Sequence, residues 1–310
     1  MESPPADPYA IFGVYIGSWD SDDESDAEVV KYASRGVKRR RISNPTPGIV
    51  STPNFMQASC SIHNISDRPV IRDEEKRPYF SPSLERGVGE VFPAKFVPSS
   101  PGATPEDLFP PGISVQPNGL PVVRFLQRGD PSSVLVYTDG ACLHNGHPHA
   151  RAGFAIVYRP MTEHLPGVMC ARLEKLGPFG QEYRQTSNRA ELRAVLGALR
   201  LRDWAKDGFK RLIVATDSRY VVQGGTDWIQ RWLENGWKTH TGAEVKNRDM
   251  WELLLGEAER YARANLEIQF WQVSRDLNKL ADKMAIEVGV KYADKHYYGY
   301  ESQGGPQFRT

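Results

Sequence analysis

The chain has 310 residues, of which 40% are hydrophobic and 25% charged, and its formal net charge is +1 at pH 7. This composition fits a globular protein of one or two domains and excludes nucleic-acid binding through a global positive field, so that any such binding must come from a local patch. The N-terminus lacks the features of a signal peptide, no apolar run approaches membrane length, and three cysteines give no disulfide framework, so we expect an intracellular protein without membrane attachment.

Proline is concentrated in the first part of the chain, since 17 of the 23 prolines precede residue 131. The same region carries charge runs such as SWDSDDESDAE and few periodic apolar patterns. Such a composition buries too little apolar surface to offset the entropy of ordering, so we expect residues 1–130 to be a mostly disordered Pro/Ser-rich region. The basic run GVKRRRIS, residues 36–43, is either a nuclear localisation signal or solvated disorder. The first alternative predicts a nuclear protein, with cytoplasm or mitochondrion as other locations.

Residues 131–293 have the pattern of one folded domain, which a tail of residues 294–310 follows. Two β-rich runs come first and are followed by alternating helices and strands, which predicts an α/β fold with a mixed sheet and helices packed on it. The first helix places Leu192, Val195, Leu196 and Leu199 at helical spacing, and the strand RLIVATD is continuously apolar, as expected of a strand buried on both faces. In order, the predicted elements are SSVLVYTDG, AGFAIVYRP, AELRAVLGALRLRDWA, RLIVATD, NRDMWELLLGEAERYA, LEIQFWQV and NKLADKMAIEVG.

Four acidic residues lie at the ends of these elements. Asp139 closes the first strand, Asp217 closes the buried strand, Glu191 lies in the first turn of the first helix, and Asp282 lies in the first turns of the last helix. A carboxylate at the end of an apolar strand is costly unless it is solvated, caps a helix or coordinates a cation. Taken alone, Asp139 and Asp217 are better explained as turn or cap residues, and Glu191 is also explained as a partner of the helix dipole.

Four segments around these acids, YTDGACLHNG, TSNRAELRAVLGAL, ATDSRYVVQG and NKLADKMA, resemble the catalytic blocks of type 1 ribonuclease H in the same order. The resemblance covers about residues 132–292. It implies the ribonuclease H fold, a five-stranded mixed sheet with helices on both faces. It also implies a metal-dependent endonuclease that hydrolyses the RNA strand of RNA–DNA hybrids to 3′-hydroxyl and 5′-phosphate ends. Asp139, Glu191, Asp217 and Asp282 would bind two Mg²⁺ ions, with Mn²⁺ as an alternative, because paired metals serve both ends of an in-line displacement and Mg²⁺ prefers carboxylate ligands.

The same resemblance implies the residues that bind the hybrid. Asn145 and Asn188 would lie along the RNA minor groove, where the 2′-hydroxyl distinguishes RNA from DNA. Asn145 has an equally good explanation as a turn residue. On the DNA side, a phosphate pocket would comprise Arg184, Thr186 and Asn247, the first two sharing one face of a predicted strand.

Residues 227–249, DWIQRWLENGWKTHTGAEVKNRD, resemble the substrate-binding handle of cellular family members and are called the handle below. Trp228 and Trp232 are four residues apart on a predicted short helix. By resemblance Trp232 would contact the DNA sugars and Trp228 would lie near the DNA-binding channel. For Trp237 we expect a packing role, because large aromatic side chains are usually structural.

The loop before the last acidic helix departs from the family pattern. Many members carry a histidine there, whereas QVSRDLNKLAD contains none. We therefore expect slow turnover, and the alternative function is a catalytically weak or inactive hybrid-binding protein with the same fold. Nothing in the sequence requires more than a monomer.

Overall fold

The computed structural model of the protein describes residues 83–161 and 167–291, with side chains up to residue 287. The expected disorder of residues 1–82, the candidate localisation signal at residues 36–43 and the tail at residues 294–310 lie outside the described residues. No described helix is long and apolar enough to span a membrane.

The described residues form eight strands and six α-helices. The strands are β1 (Ala94–Lys95), β2 (Pro111–Val115), β3 (Pro121–Gln127), β4 (Asp130–Leu143), β5 (Arg151–Val157), β6 (Val168–Arg172), β7 (Arg211–Thr216) and β8 (Glu267–Gln272). The helices are α1 (Pro105–Leu108), α2 (Ser187–Arg200), α3 (Arg219–Gln223), α4 (Ile229–Glu234), α5 (Arg248–Arg263) and α6 (Lys279–Lys291). A π-helical turn, Gly224–Trp228, joins α3 to α4, and a 3-10 turn, Arg275–Leu277, precedes α6.

The predicted five-stranded mixed sheet is confirmed as the centre of this structure. The long strand β4 pairs antiparallel with β5 and parallel with β7; β5 pairs antiparallel with β6, and β7 pairs parallel with β8. Three strands extend these five: β1 pairs parallel with the edge strand β8, and the β2–β3 hairpin pairs with the first half of β4. Within the described residues the sheet has eight strands.

The expectation of disorder was wrong for the last part of the region 1–130. Residues 94–127 contain α1 and three strands, and two of their aromatic side chains, Phe96 and Phe109, are buried against Trp271. Proline density concealed these strands. Pro111 and Pro121 each begin a strand of the β2–β3 hairpin, a position where proline is tolerated because no interior ladder bond is lost there.

Helices cover both faces of the sheet. Val134 and Val136 of β4 belong to the large core that α2 and α5 close, whereas Leu135 belongs to a second core with Ile213 and Trp271. Neighbouring residues of a strand point to opposite faces, so the two cores lie on opposite sides of the sheet. Helix α6 packs against β4, β5 and β6.

Candidate active site

The sheet register brings Asp139 and Asp217 together at the carboxyl ends of the paired segments of β4 and β7, called the acidic edge below. Tyr137 of β4 pairs with Ala215 of the parallel strand β7, and the two aspartates each follow two residues later. They therefore lie side by side on the same face of the sheet, as the alternation of side chains along strands requires. The expectation that Asp139 closes its strand was wrong, because β4 continues to Leu143 in its pairing with β5, whereas Asp217 does directly follow β7. The backbone N–H of Gly140 donates a 2.7 Å hydrogen bond to Asp139 Oδ1, while Oδ2 has no hydrogen-bond partner among the described residues.

Glu191 reaches the acidic edge because helix α2 crosses β4 at very close range. A β-carbon on Gly140 would lie 2.1 Å from the backbone nitrogen of Glu191 and 2.2 Å from the carbonyl carbon of Ala190. Only glycine permits this approach, which places the start of α2 beside Asp139. Glu191 is the fifth residue of α2 and so lies just after the first turn, whereas the sequence pattern placed it within that turn. The Glu191 carboxylate accepts a hydrogen bond from the hydroxyl of Ser218, the residue after Asp217.

Asp282 arrives from the N-terminal turn of α6, whose position is fixed by Asn278. The buried Asn278 side chain donates to the carbonyl of Thr138 and to Asp217 Oδ1, both at 3.1 Å. The guanidinium of Arg275 then binds Asp282, with Nε 3.0 Å from Oδ1, and lies 3.9 Å from Asp217 Oδ2. One amide and one guanidinium thus connect three of the segments that carry acids.

Burial and mutual repulsion set the electrostatics of the four acids. Burial raises the pKa of Asp139 well above its ordinary value, and the charges of Asp217, Glu191 and Asp282 raise it further. Desolvation of the Glu191 carboxylate raises its pKa to about 7, against the opposing effect of the Ser218 hydrogen bond. Both shifts report that negative charge at the acidic edge is disfavoured unless a cation compensates it.

The donor set fits a hard divalent cation. Asp139 Oδ2 is a buried carboxylate oxygen without a hydrogen-bond partner among the described residues, and its neighbours are further carboxylates. Oxygen ligands of this kind are those that Mg²⁺ and Mn²⁺ prefer. Within the described ranges, no three His, Cys, Asp or Glu side chains are already drawn into a coordination sphere. Glu191, Asp217 and Asp282 instead bond to Ser218, Asn278 and Arg275.

The two residues predicted for RNA contact lie beside the acidic edge. Asn145 is exposed in the β4–β5 loop, and its Oδ1 accepts a 3.3 Å hydrogen bond from the backbone N–H of Ser187, the first residue of α2. Asn188 is half-buried in the first turn of α2, one turn before Glu191. The hydrogen bond between Asn145 and Ser187 thus joins the loop to the helix that carries Glu191.

The three residues predicted for a DNA phosphate pocket fall on two helix starts and a loop. The predicted strand through Arg184 and Thr186 was wrong, because Thr186 instead caps α2 by accepting from Arg189 N at 3.2 Å. Asn247 caps α5 in the left-handed conformation, at φ 58°, and its Oδ1 accepts from Arg189 Nη1 at 3.3 Å. Thr186 and Asn247 are therefore joined through Arg189, while Arg184 is exposed.

Arg189 is itself held by a buried ion pair. Its two terminal nitrogens donate to the two carboxylate oxygens of Asp249 at 3.0 and 2.7 Å, and its guanidinium stacks on Tyr183. Sequence reasoning missed this residue, along with Ser218 and Asn278. All three lie inside the segments that carry the family resemblance and within four residues of an acid, which was the available signal.

The tryptophans of the handle divide into two kinds. Trp228 and Trp232 are half-buried, their rings 5.9 Å apart, and Trp232 packs edge-on against Trp251 at 5.4 Å. Trp237 is buried in the large core, which confirms its predicted packing role. Trp228 ends the π-helical turn and Trp232 lies in α4, so the predicted pair spans the junction of two helical segments.

The region that matches a known protein family begins at residue 131, where the sequence pattern places the start of the folded domain. The RNase H family model matches residues 131–288, half of the chain. Ribonuclease H1 of Homo sapiens is 34% identical over 193 residues, which cover 58% of this chain and 58% of that protein. Ribonuclease H of Neorickettsia sennetsu is 39% identical over 160 residues, or 52% of this chain and 95% of that protein. Ribonuclease H of Treponema pallidum is 34% identical over 166 residues, or 52% and 94%. The chain belongs to the type 1 ribonuclease H family.

Proposed function

We propose that this protein hydrolyses the RNA strand of RNA–DNA hybrids in a reaction that requires Mg²⁺ and leaves 3′-hydroxyl and 5′-phosphate ends. The observation that carries the proposal is the convergence of Asp139, Glu191, Asp217 and Asp282 on one site, where burial first, and then the charges of the other three acids, raise the pKa of Asp139. The similarity to proteins named Ribonuclease H supports the reaction and its substrate.

The four acids are the residues that would hold the metal ions. Bound there, a pair of Mg²⁺ ions would supply Lewis-acid stabilisation of an in-line displacement at the scissile phosphate. The protein contributes a preformed frame: Gly140 permits the approach of α2, Asn278 orients Asp217, and Ser218 orients Glu191. Since Arg275 binds Asp282 and lies near Asp217, it supplies positive charge to the acidic edge.

The remaining predicted residues would bind the two strands of the hybrid. Asn145 and Asn188 flank the start of α2 and would face the RNA strand beside Glu191. Thr186 and Asn247, joined by Arg189, with the exposed Arg184, would hold a DNA phosphate. Trp228 and Trp232 would contact the DNA strand from the handle. We also propose that one chain acts alone, because it carries all of these residues. A nuclear location stays a prediction.

A hybrid-binding protein without turnover is the second candidate function. The observation that favours it is the loop before α6, which carries Arg275 and no histidine. Retention of all four acids supports the enzyme.

The deciding experiment uses a hybrid labelled on its RNA strand, with wild type, Asp217→Asn and Asp276→Asn compared in Mg²⁺ and in chelator. Asp276 is the matched control, because it is an exposed acid in the same loop that pairs only loosely with Lys279. We expect wild type and Asp276→Asn to cut the RNA strand in Mg²⁺ alone, and Asp217→Asn to lose at least about 100-fold in rate, the order of effect of removing one transition-state stabilising group. Tight hybrid binding without any cleavage would contradict the proposed hydrolysis and favour a hybrid-binding protein without turnover.

A further inference from the structure

The segment of residues 83–97, called the strap below, crosses the surface of the catalytic domain although it lies outside the region that matches the family. It runs along α5 and ends as β1 beside the edge strand β8, where Phe96 N–H donates to the Phe270 carbonyl at 2.8 Å. The strap therefore covers a sheet edge that would otherwise expose unpaired backbone groups.

The first half of the strap is anchored on α5. The Gly87 N–H donates to the Glu252 carbonyl at 2.8 Å, and a β-carbon on Gly87 would lie 2.3 Å from the backbone nitrogen of Gly256. The next three backbone N–H groups, of residues 88, 89 and 90, all donate to Oε1 of the buried Glu259, at 2.8, 2.7 and 3.1 Å. Three charge-assisted bonds to one carboxylate fix the backbone of the strap at Gly89.

From this anchor the strap contacts the handle at two points. Gly89 has φ +87° and lies so close to α4 that a β-carbon there would be 2.5 Å from Cδ1 of Leu233, the residue after Trp232. Lys95 of β1 lies 3.6 Å from the carboxylate of Asp227, the residue before Trp228. Each contact therefore touches a neighbour of a half-buried tryptophan predicted to meet the DNA strand.

We propose that the strap is a positioning element for substrate binding, which holds α4 and the π-helical turn so that Trp228 and Trp232 are presented to the DNA strand of the hybrid. The proposal rests on the proposed function, since it assigns the strap to the same substrate. Rigid preorganisation of a binding surface lowers the cost of ordering it on association. Loss of the strap contacts then weakens hybrid affinity and leaves the chemical step of bound substrate unchanged.

The test compares Gly89→Ala with Gly102→Ala in the full-length chain. Both glycines have nearly the same positive φ, +87° and +86°, a region that alanine adopts only with strain. Gly102 has nothing within 4 Å of the added methyl group, whereas the methyl group on Gly89 must shift the Cδ1 end of the Leu233 side chain in α4. The positive φ is therefore common to both variants, and only Gly89→Ala adds the contact with Leu233.

Hybrid affinity is measured by fluorescence anisotropy in the cleavage-deficient Asp217→Asn background, and the chemical step by single-turnover cleavage at saturating enzyme. For Gly89→Ala we expect a 3- to 10-fold higher Kd with a single-turnover rate within twofold of wild type, and for Gly102→Ala no change in either. Adding Leu233→Ala removes the side chain that the methyl group meets. The double variant should then bind within twofold of Leu233→Ala alone.

Hydrogen exchange of the free protein separates this proposal from the proposed function. Backbone amides of α4 should exchange faster in Gly89→Ala than in Gly102→Ala, whether or not the wild type cleaves hybrids. Equal Kd values for the two glycine variants, with equal α4 exchange, would overturn the proposal. So would a Gly89→Ala defect confined to the single-turnover rate.

Discussion

Near neutral pH, the titration of Glu191 changes the free energy of unfolding of the metal-free protein. Its pKa is raised to about 7 by desolvation, from an ordinary value of 4.5. Between these values the folded state holds a proton that the unfolded state has lost, so the free energy of unfolding decreases as pH rises through this window. The raised pKa of Asp139 acts in the same direction. Asp130, whose pKa is lowered by its hydrogen bonds with Ser132 and Ser133, acts only below its ordinary value of 3.8.

We therefore predict that the Tm in chelator falls between pH 5 and pH 8, and that Glu191→Gln reduces this fall. Mg²⁺ should raise the wild-type Tm most at the upper end of the range, because binding to the folded state adds stability by mass action. Thermal melts of wild type, Glu191→Gln and the exposed control Glu182→Gln test this. A Tm that rises with pH in chelator, or a control that changes the slope as much as Glu191→Gln, would contradict it.

The sequence predicted the four acids but not the side chains that hold them. Each acid lies in or directly after an element inside a recognisable segment, so its position could be read locally. Ser218, Asn278 and Arg189 act across distances of 27, 61 and 60 residues along the chain, on Glu191, Asp217 and Asp249 respectively. Such pairings depend on the register of strands and the crossing of helices, which no local pattern specifies.

Helices α2 and α5 are joined at their N-terminal ends by the ion pair between Arg189 and Asp249. Both side chains are buried, and the same guanidinium reaches Asn247 at the cap of α5. Removing one partner of a buried pair leaves an uncompensated charge and costs about 3–5 kcal/mol. Because Thr186 and Asn247 flank this pair, its loss also separates the two helix starts predicted to hold a DNA phosphate.

Asp249→Ala should therefore lower the free energy of unfolding by about 3–5 kcal/mol and weaken hybrid binding in the surviving folded protein. Asp276→Ala, which removes an exposed pair with Lys279, should change stability by no more than about 1 kcal/mol. Urea denaturation and hybrid titration of the two variants check the prediction. Equal stability of both would show that the Arg189 charge is compensated elsewhere.

Among the elements, the apolar pattern predicted α2, α5 and four of the five central strands, β4, β5, β7 and β8. Strand β6, whose burial pattern is mostly intermediate, was implied only by the family resemblance. The apolar pattern failed where an element owes its existence to a partner distant in sequence. Strand β1 has two residues and forms on the edge of β8, and the segment through Arg184 stays irregular because Thr186 is used as a helix cap. A short element without an amphipathic pattern leaves little local signal.

The folded unit as a whole extends beyond the region that matches the family, because part of its core comes from residues 83–130. Phe96 packs against Trp271 with ring centroids 4.8 Å apart and against Phe109 at 5.6 Å. Trp271 belongs to β8, so these rings close the second core over the catalytic sheet. A chain that begins at residue 131 lacks both phenylalanines and exposes the apolar side of β8.

We predict that Phe96→Ala lowers the free energy of unfolding by about 3–5 kcal/mol, the usual cost of emptying a buried phenylalanine site. Val97→Ala, at a neighbouring residue that is 77% exposed, should change it by less than about 0.5 kcal/mol. Urea denaturation of both full-length variants measures the difference. A chain that starts at residue 131 should unfold at lower urea than one that starts at residue 83, since it loses Phe96, Phe109 and the strap together. If the chain from residue 131 had the same urea midpoint as the chain from residue 83, the second core would be dispensable for stability. The folded domain would then begin at residue 131, where the family match begins.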